Sequence, residues 1–362
     1  MKESAPRPDD EMHDDPQDLG DPGPLGEYLR LCRDQIVGPF DEADSQALRS
    51  QKLHRRITGL AAAFGGASLV AAAVNIAFLD AATELTLLVE ASLAAVGTAL
   101  VFAGLVKSWH GEWLLRRFQA EQLRLLKFRM LVDPDFWCAG GPALPGPRER
   151  LLRKIEEIQG IREKQLETFA AREGVPKIAS AAECAGITRD LRLEILTYYR
   201  RRRLNSQITY FSRSGSRPSR WYQSSAILPF IFFTSVLCVG LHAWAEHAME
   251  HRVGRAAAVA GERSGAPRRD PVEKLGRLAL ALSLALPGAW AGFRTWRTAN
   301  EFGRNQSRSQ ARFDSLSKIA ERLRPDASNE AVFADLGLSE HILAADQGEW
   351  LRLMRDADWY GG

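Results

Sequence analysis

Four long apolar stretches constrain this chain more than any other feature. Ile57 to Leu79 carries no formal charge, and Leu85 to Val106 is interrupted only by Glu90. Trp221 to Ala245 is a third run, and Leu278 to Phe293 is a shorter fourth. At 1.5 Å rise per residue, about 20 residues cross a hydrocarbon core of roughly 30 Å. The first three runs clear that length. The fourth needs tilt, local thinning, or Arg277 and Arg294 snorkelling outward. Buried helices of a large soluble protein are the competing reading, but three such runs rarely occur together in soluble domains. A mean hydropathy of −0.23 and 26% charged residues describe an average over a patchy chain and do not oppose a membrane protein.

Basic residues flank the runs and orient them. Arg49, Lys52, Arg55 and Arg56 precede the first, and Lys107, Arg116, Arg117, Arg124, Lys127 and Arg129 follow the second. Arg200, Arg201, Arg202 and Arg203 precede the third with Arg213, Arg217 and Arg220. Arg294, Arg297, Arg304, Arg308 and Arg312 follow the fourth. The turn Asp80 to Glu84 is short and acidic. This pattern predicts two transmembrane hairpins (spans 57–79 and 85–106, then 221–245 and 278–293), with both termini cytoplasmic. The Glu246 to Arg277 loop, with 7 basic and 5 acidic residues, would face outward. Trp109, Trp113, Trp221, Tyr222, Trp244, Trp290 and Trp296 fall near span ends, where interfacial aromatics belong.

Residues 1–50 hold 13 acidic and 5 basic residues. Met1 to Asp21 is acidic and Pro-rich with no apolar core, so residues 1–26 read as a disordered cytoplasmic tail and the first span as the insertion signal. Residues 27–136 read as a first hairpin domain with flanking helices. Residues 137–190 form a cytoplasmic linker with an amphipathic helix, and 191–362 a second hairpin domain. Leu114, Phe118, Leu125 and Phe128 share a face of a helix continuing the second span, with Arg117 and Glu121 at i,i+4. Leu151, Ile155, Ile158 and Ile161 mark an amphipathic helix to about Arg172. A further helix covers about Leu191 to Phe211. Phe313, Leu316, Ile319 and Leu323 mark one more, ended by Pro325 and followed by two shorter pieces to Trp359. No period-two strand occurs, so the class is all-α. These faces pack within the chain or pair with another subunit's helices.

Little is arranged for catalysis. There is no P-loop, dinucleotide fingerprint or nucleophile elbow, and the chain is expected to be non-enzymatic and to need no cofactor. The four cysteines show no metal-type spacing. His247, Glu250 and His251 fit the HxxEH arrangement, in which two histidines hold zinc and the glutamate activates water. With no evident third ligand, a solvated helix end is the ordinary reading, and a membrane metalloenzyme is the remote one. Polar or kinking residues inside the spans are the other candidates. Asn75 and Glu90 lie in the first hairpin, Glu90 interfacial or buried, and Pro229 and Pro287 interrupt the third and fourth spans. Gly65, Gly66, Gly97 and Gly104 permit close helix approach. Arg200 to Arg203 suit anionic lipid headgroups, at about 1 kcal/mol per basic residue. No nucleic-acid motif accompanies them, so nucleic acid is not an expected partner.

The layout resembles the SLATT family, the SMODS and SLOG-associating two-transmembrane effector domains. The segments behind the resemblance are WLLRRFQAEQLRLLKFR from Trp113, YYRRRRLNSQITYF from Tyr198, and EWLRLM from Glu349 to Met354. It covers Tyr28 to Phe136 and Leu191 to Trp359, a tandem arrangement. The resemblance implies an oligomeric pore-forming or membrane-permeabilising effector in a bacterial defence system, triggered by a nucleotide-producing or nucleotide-sensing partner. It assigns no catalytic residue. A membrane-anchored scaffold that binds a signalling partner is the alternative.

Overall fold

A computed structural model describes residues 11–78, 84–107, 109–166, 186–216 and 302–356, and the single positions Thr168, Thr234, Leu237, Cys238 and Ala279. The described residues form helices joined by short turns, with no strand among them, so the chain is all-α. Grouped by proximity, it forms two units. One gathers Met1–Lys52, Ser108–Pro218 and Gly303–Asp358, and the other gathers Leu53–Lys107 with Ser219–Phe302 and Trp359–Gly362.

The larger unit is built around α5 (Trp109–Leu131). Its apolar positions are not confined to one stripe: Trp113, Leu114, Phe118, Leu123, Leu125, Leu126, Phe128 and Leu131 are all buried. A helix apolar on several sides must be covered on several sides. On one side lies α7 (Pro145–Gln159), which buries Leu151, Ile155 and Ile158. Sequence periodicity extends this helix to about Arg172, but it stops at Gly160, whose N–H bonds Glu156 O, and Glu163–Gln165 is a tight 3₁₀ turn. On another lies α11 (Asn329–Asp356), docked on α5 by the Trp113–Trp350 edge contact and by Gln347 Nε2 donating to Phe118 O at 3.4 Å. The sequence predicts two shorter helices here. One continuous helix forms because these contacts outweigh the roughly 1 kcal/mol that each of Gly337 and Gly348 costs inside a helix. Trp113, expected at a membrane interface, is in this core instead. Helix α10 (Phe302–Arg322) buries Leu316 and Ile319, and Leu323 just beyond it is buried too.

Two segments share an unusual plan. Helix α2 (Pro24–Cys32) runs through a π turn, Arg33–Val37, into α3 (Gly38–Phe78). Helix α8 (Arg189–Tyr199) runs through a second π turn, Arg200–Leu204, into α9 (Asn205–Ser216). The first apolar run begins at Ile57, and the same separation in sequence from Arg33 to Ile57 carries Arg200 to Ser224, inside the third run. Asp133 caps the short α6 (Pro134–Cys138) by accepting from Asp135 N at 3.1 Å. Phe136 and Trp137 then close edge-on against Tyr28 of α2.

In the smaller unit, the later part of α3 pairs with α4 (Glu84–Lys107). A β-carbon on Gly97 would lie 3.3 Å from Gly65 N and 3.6 Å from Ala61 O, so the backbones approach as closely as the glycines allow. Thr86 Oγ1 donates to Asn75 Oδ1 at 3.4 Å. Outward, the pair is apolar: Leu88 and Phe102 are largely exposed, and Leu69, Val70 and Val96 are exposed as well. Among the described residues one helix, Leu85–Leu131, is long and apolar enough to cross a membrane. The third and fourth apolar runs lie outside the described residues apart from isolated positions.

Candidate functional site

The most elaborate chemistry among the described residues is a buried charge network in the larger unit. It starts from a segment whose composition predicts a disordered tail. Residues 11–21 are instead built in, through the short helix α1 (Pro16–Leu19) and contacts that bury Glu11 and Met12. The physical reason is pairing: acidic residues that would repel one another in isolation meet cations from elements distant in sequence. Residues 1–10 lie outside the described residues.

Lys127 is the deepest member. It sits on the buried surface of α5, and its Nζ donates to Glu11 O (3.0 Å), Met12 O (3.1 Å) and both Asp14 carboxylate oxygens (3.0 Å). Its side chain is fully buried and that of Asp14 nearly so. The ammonium also faces the Phe128 ring at 5.4 Å and the Tyr198 ring at 5.9 Å, close enough for cation–π attraction. Tyr198 donates its hydroxyl to Asp14, and Tyr28 donates to Lys127 O.

The second π turn supplies the rest. Its wider register sends four successive arginines to four destinations. Arg200 Nη1 donates to Leu323 O at 3.2 Å. Arg201 pairs with Asp18 and stays half-exposed. Arg202 reaches Asp15 Oδ2 at 2.6 Å and Asp18 Oδ2 at 3.3 Å. Arg203 grips Glu340 of α11 through Nε (3.0 Å) and Nη2 (3.2 Å), pairs with Glu11 through Nη1, and lies 4.7 Å over the Phe128 ring. The sequence places these arginines against lipid headgroups. Arg202 and Arg203 are instead buried and committed to carboxylates of the same chain. Tyr199 completes the network, donating to Glu340 Oε1 at 2.8 Å and hydrogen-bonding Ser339.

The electrostatics favour fixed charges over proton transfer. Burial works against the Arg203 guanidinium, but Glu340 and Glu11 outweigh it and push its pKa up. Burial also opposes the Glu121 carboxylate, yet Arg124, Arg117 and Arg203 together hold it below its ordinary range. The Arg117–Glu121 pair expected at i,i+4 is present, extended by Asp44 and Arg124. Desolvation drives the Tyr28, Tyr198 and Tyr199 hydroxyls well above their usual values and the Cys32 thiol up to about 12. Those four groups are held protonated at neutral pH. The cations of the network hold carboxylates of the same chain, and none of these four groups is activated as a nucleophile.

The other sequence candidates are dispersed. Asn75 bonds Thr86 within the hairpin, and Glu90 is half-buried on α4. Pro229, Pro287, His247, Glu250 and His251 lie outside the described residues. Among the described residues no cluster of three or more histidine, cysteine or carboxylate side chains is placed to hold a metal. Lys127, Glu340 and the acidic partners escape sequence reasoning. Their one signal is a lysine on the apolar stripe of α5, midway between Leu123 and Leu131. Set against known families, curated proteins and solved structures, the chain matches no family model, no curated protein and no solved fold.

Proposed function

We propose that this chain is a non-enzymatic bacterial membrane effector that oligomerises in the inner membrane and, when triggered, permeabilises it. The observation that carries this reading is the α3–α4 pair: closely approaching glycine-bearing helices whose outer surface is apolar and exposed. Water does not favour such a surface, and a bilayer or further copies of the same hairpin would cover it. The recurrence of helix, π turn and helix ahead of both the first and the third apolar runs supports a tandem of two hairpins, hence four spans. The positive flanks of all four runs support cytoplasmic termini. The resemblance to SLATT domains adds a role in a defence system and a nucleotide-linked partner as trigger. Induced expression with a potential-sensitive dye tests the reading. Depolarisation on triggering is expected, and an unchanged potential with the protein correctly inserted counts against it.

A second reading, a membrane-anchored scaffold for a signalling partner, is favoured by one observation. Asn75 is satisfied by Thr86 within the hairpin, which leaves that polar residue committed to its neighbour rather than to a conducting path. Intact membrane potential together with recovery of a specific partner on the helical unit would select it.

A further inference from the structure

We propose that Glu11–Asp21 is an intramolecular ligand, an acidic strap seated in an oxyanion site formed by Lys127, Arg201, Arg202 and Arg203, and that a multivalent phosphate-bearing ligand exchanges with it. Three features of the larger unit support this, and none depends on the membrane reading.

The strap is held almost wholly by charge. Met12 is its one fully buried apolar side chain, and α1 is a single turn. Every oxygen to which Lys127 donates belongs to the strap. Arg201 and Arg202 likewise pair with Asp15 and Asp18. A segment held this way is replaced at little hydrophobic cost.

The receiving surface, however, cannot stand empty. With the strap gone, Lys127 Nζ loses all its acceptors, and Glu340 is the carboxylate left on Arg203. Removing one side of such an ion-pair network is strongly destabilising. Exchange for another anion is therefore favoured over simple lifting.

The donors also select the anion's chemistry. Guanidinium forks beside a lysine point charge are the set that recognises phosphate oxygens. Asp14 already takes Lys127 on both oxygens and the Tyr198 hydroxyl besides, a multidentate pattern that a phosphate group reproduces with an oxygen to spare.

The test uses the full chain in neutral detergent and follows hydrogen exchange of residues 11–21 by mass spectrometry. Sodium pyrophosphate is compared with sodium chloride at equal ionic strength. Pyrophosphate is expected to speed exchange in the strap by about tenfold while α11 is unchanged. The variant D14N, with a weakened strap, binds pyrophosphate about tenfold more tightly than the wild type, and K127M loses binding. If D14N does not fold, D18N, whose carboxylate lies nearer the surface, takes its place with a smaller gain in the same direction. A second arm places the chain in nanodiscs of phosphatidylcholine with or without phosphatidylglycerol. Strap opening by the anionic lipid alone assigns the phosphate to a headgroup, and opening by pyrophosphate alone assigns it to a solute. The proposal is overturned if neither opens the strap, if chloride opens it equally, or if neither strap variant gains affinity.

Discussion

Removing the Glu340 carboxylate tests most directly whether the buried network holds the helical unit together. Glu340 accepts two bonds from Arg203 and one from Tyr199, and the Arg203 and Glu340 side chains are 3% and 2% exposed. Glu340→Ala leaves Arg203 with Glu11 alone and the Tyr199 hydroxyl with Ser339 alone. Deleting one partner of a buried pair costs about 3–5 kcal/mol. For a unit of this size, about 1 kcal/mol moves Tm by roughly 2–4 °C, so the loss is roughly 6 to 20 °C. Glu340→Gln keeps the shape and loses the charge, and should cost about 1.5–3 kcal/mol. The double variant Arg203→Met with Glu340→Met should lose less than the sum of the single variants, by about 1–3 kcal/mol, because a matched apolar pair removes both charges together. Recovery is partial because Glu11 and Tyr199 stay behind. Differential scanning fluorimetry in detergent at one fixed scan rate measures all of these. The control is Arg33→Ala, which breaks a pair with both side chains more than half exposed and costs less than about 1 kcal/mol. A drop for Glu340→Ala no larger than that of the control refutes the reasoning.

Three further outcomes follow from the same geometry. Gly97→Leu should destabilise the α3–α4 pair by about 1–3 kcal/mol through overpacking against Gly65, whereas Gly59→Leu, with open space around it, should not; thermal scans of the two variants side by side decide this. Maleimide at pH 8 should label exposed Cys138 and spare Cys32, which is buried with its thiol pKa raised to about 12, until denaturant is added; peptide mass mapping reads the difference. Because the folded pKa of Glu121 lies below its ordinary 4.5, its stabilisation is complete above that pH and is lost as the pH falls through the folded value. Glu121→Gln should therefore flatten the acid side of the Tm–pH profile, and a slope equal to wild type would contradict this.

The helices are legible from the chain because apolar periodicity is local. Leu151, Ile155 and Ile158 announce α7, and Leu316, Ile319 and Leu323 announce α10, whatever they pack against. Boundaries are less legible where packing competes with propensity, as at Gly337 and Gly348, which α11 absorbs against α5. The network is hidden for a different reason. Its members lie far apart in sequence, Asp14 from Lys127 and Glu11 from Arg203, and no local period relates them. An acidic, proline-rich stretch has the composition of a disordered tail until the cations that neutralise it are known. The arginines mislead in a complementary way, since positive residues ahead of an apolar run have a sufficient explanation in membrane orientation.

Those two explanations for Arg200 to Arg203 act at different times and so do not exclude each other. Orientation bias is read from the chain as it inserts, when residues near each span end are exposed and unpaired. The pairing in the folded unit needs Glu11, Lys127, Arg203 and Glu340 all present, so it is completed only after Glu340 is made. On the proposed membrane reading, a cation used for topology during insertion is then available to bind the acidic segment that preceded it. The near balance of 48 basic and 45 acidic residues therefore has local content. In the described part, negative charge concentrated near the start of the chain is matched by contact to positive charge in the middle. Any ligand that competes for those arginines and Lys127 must also displace residues 11–21, which couples binding at this site to release of that segment.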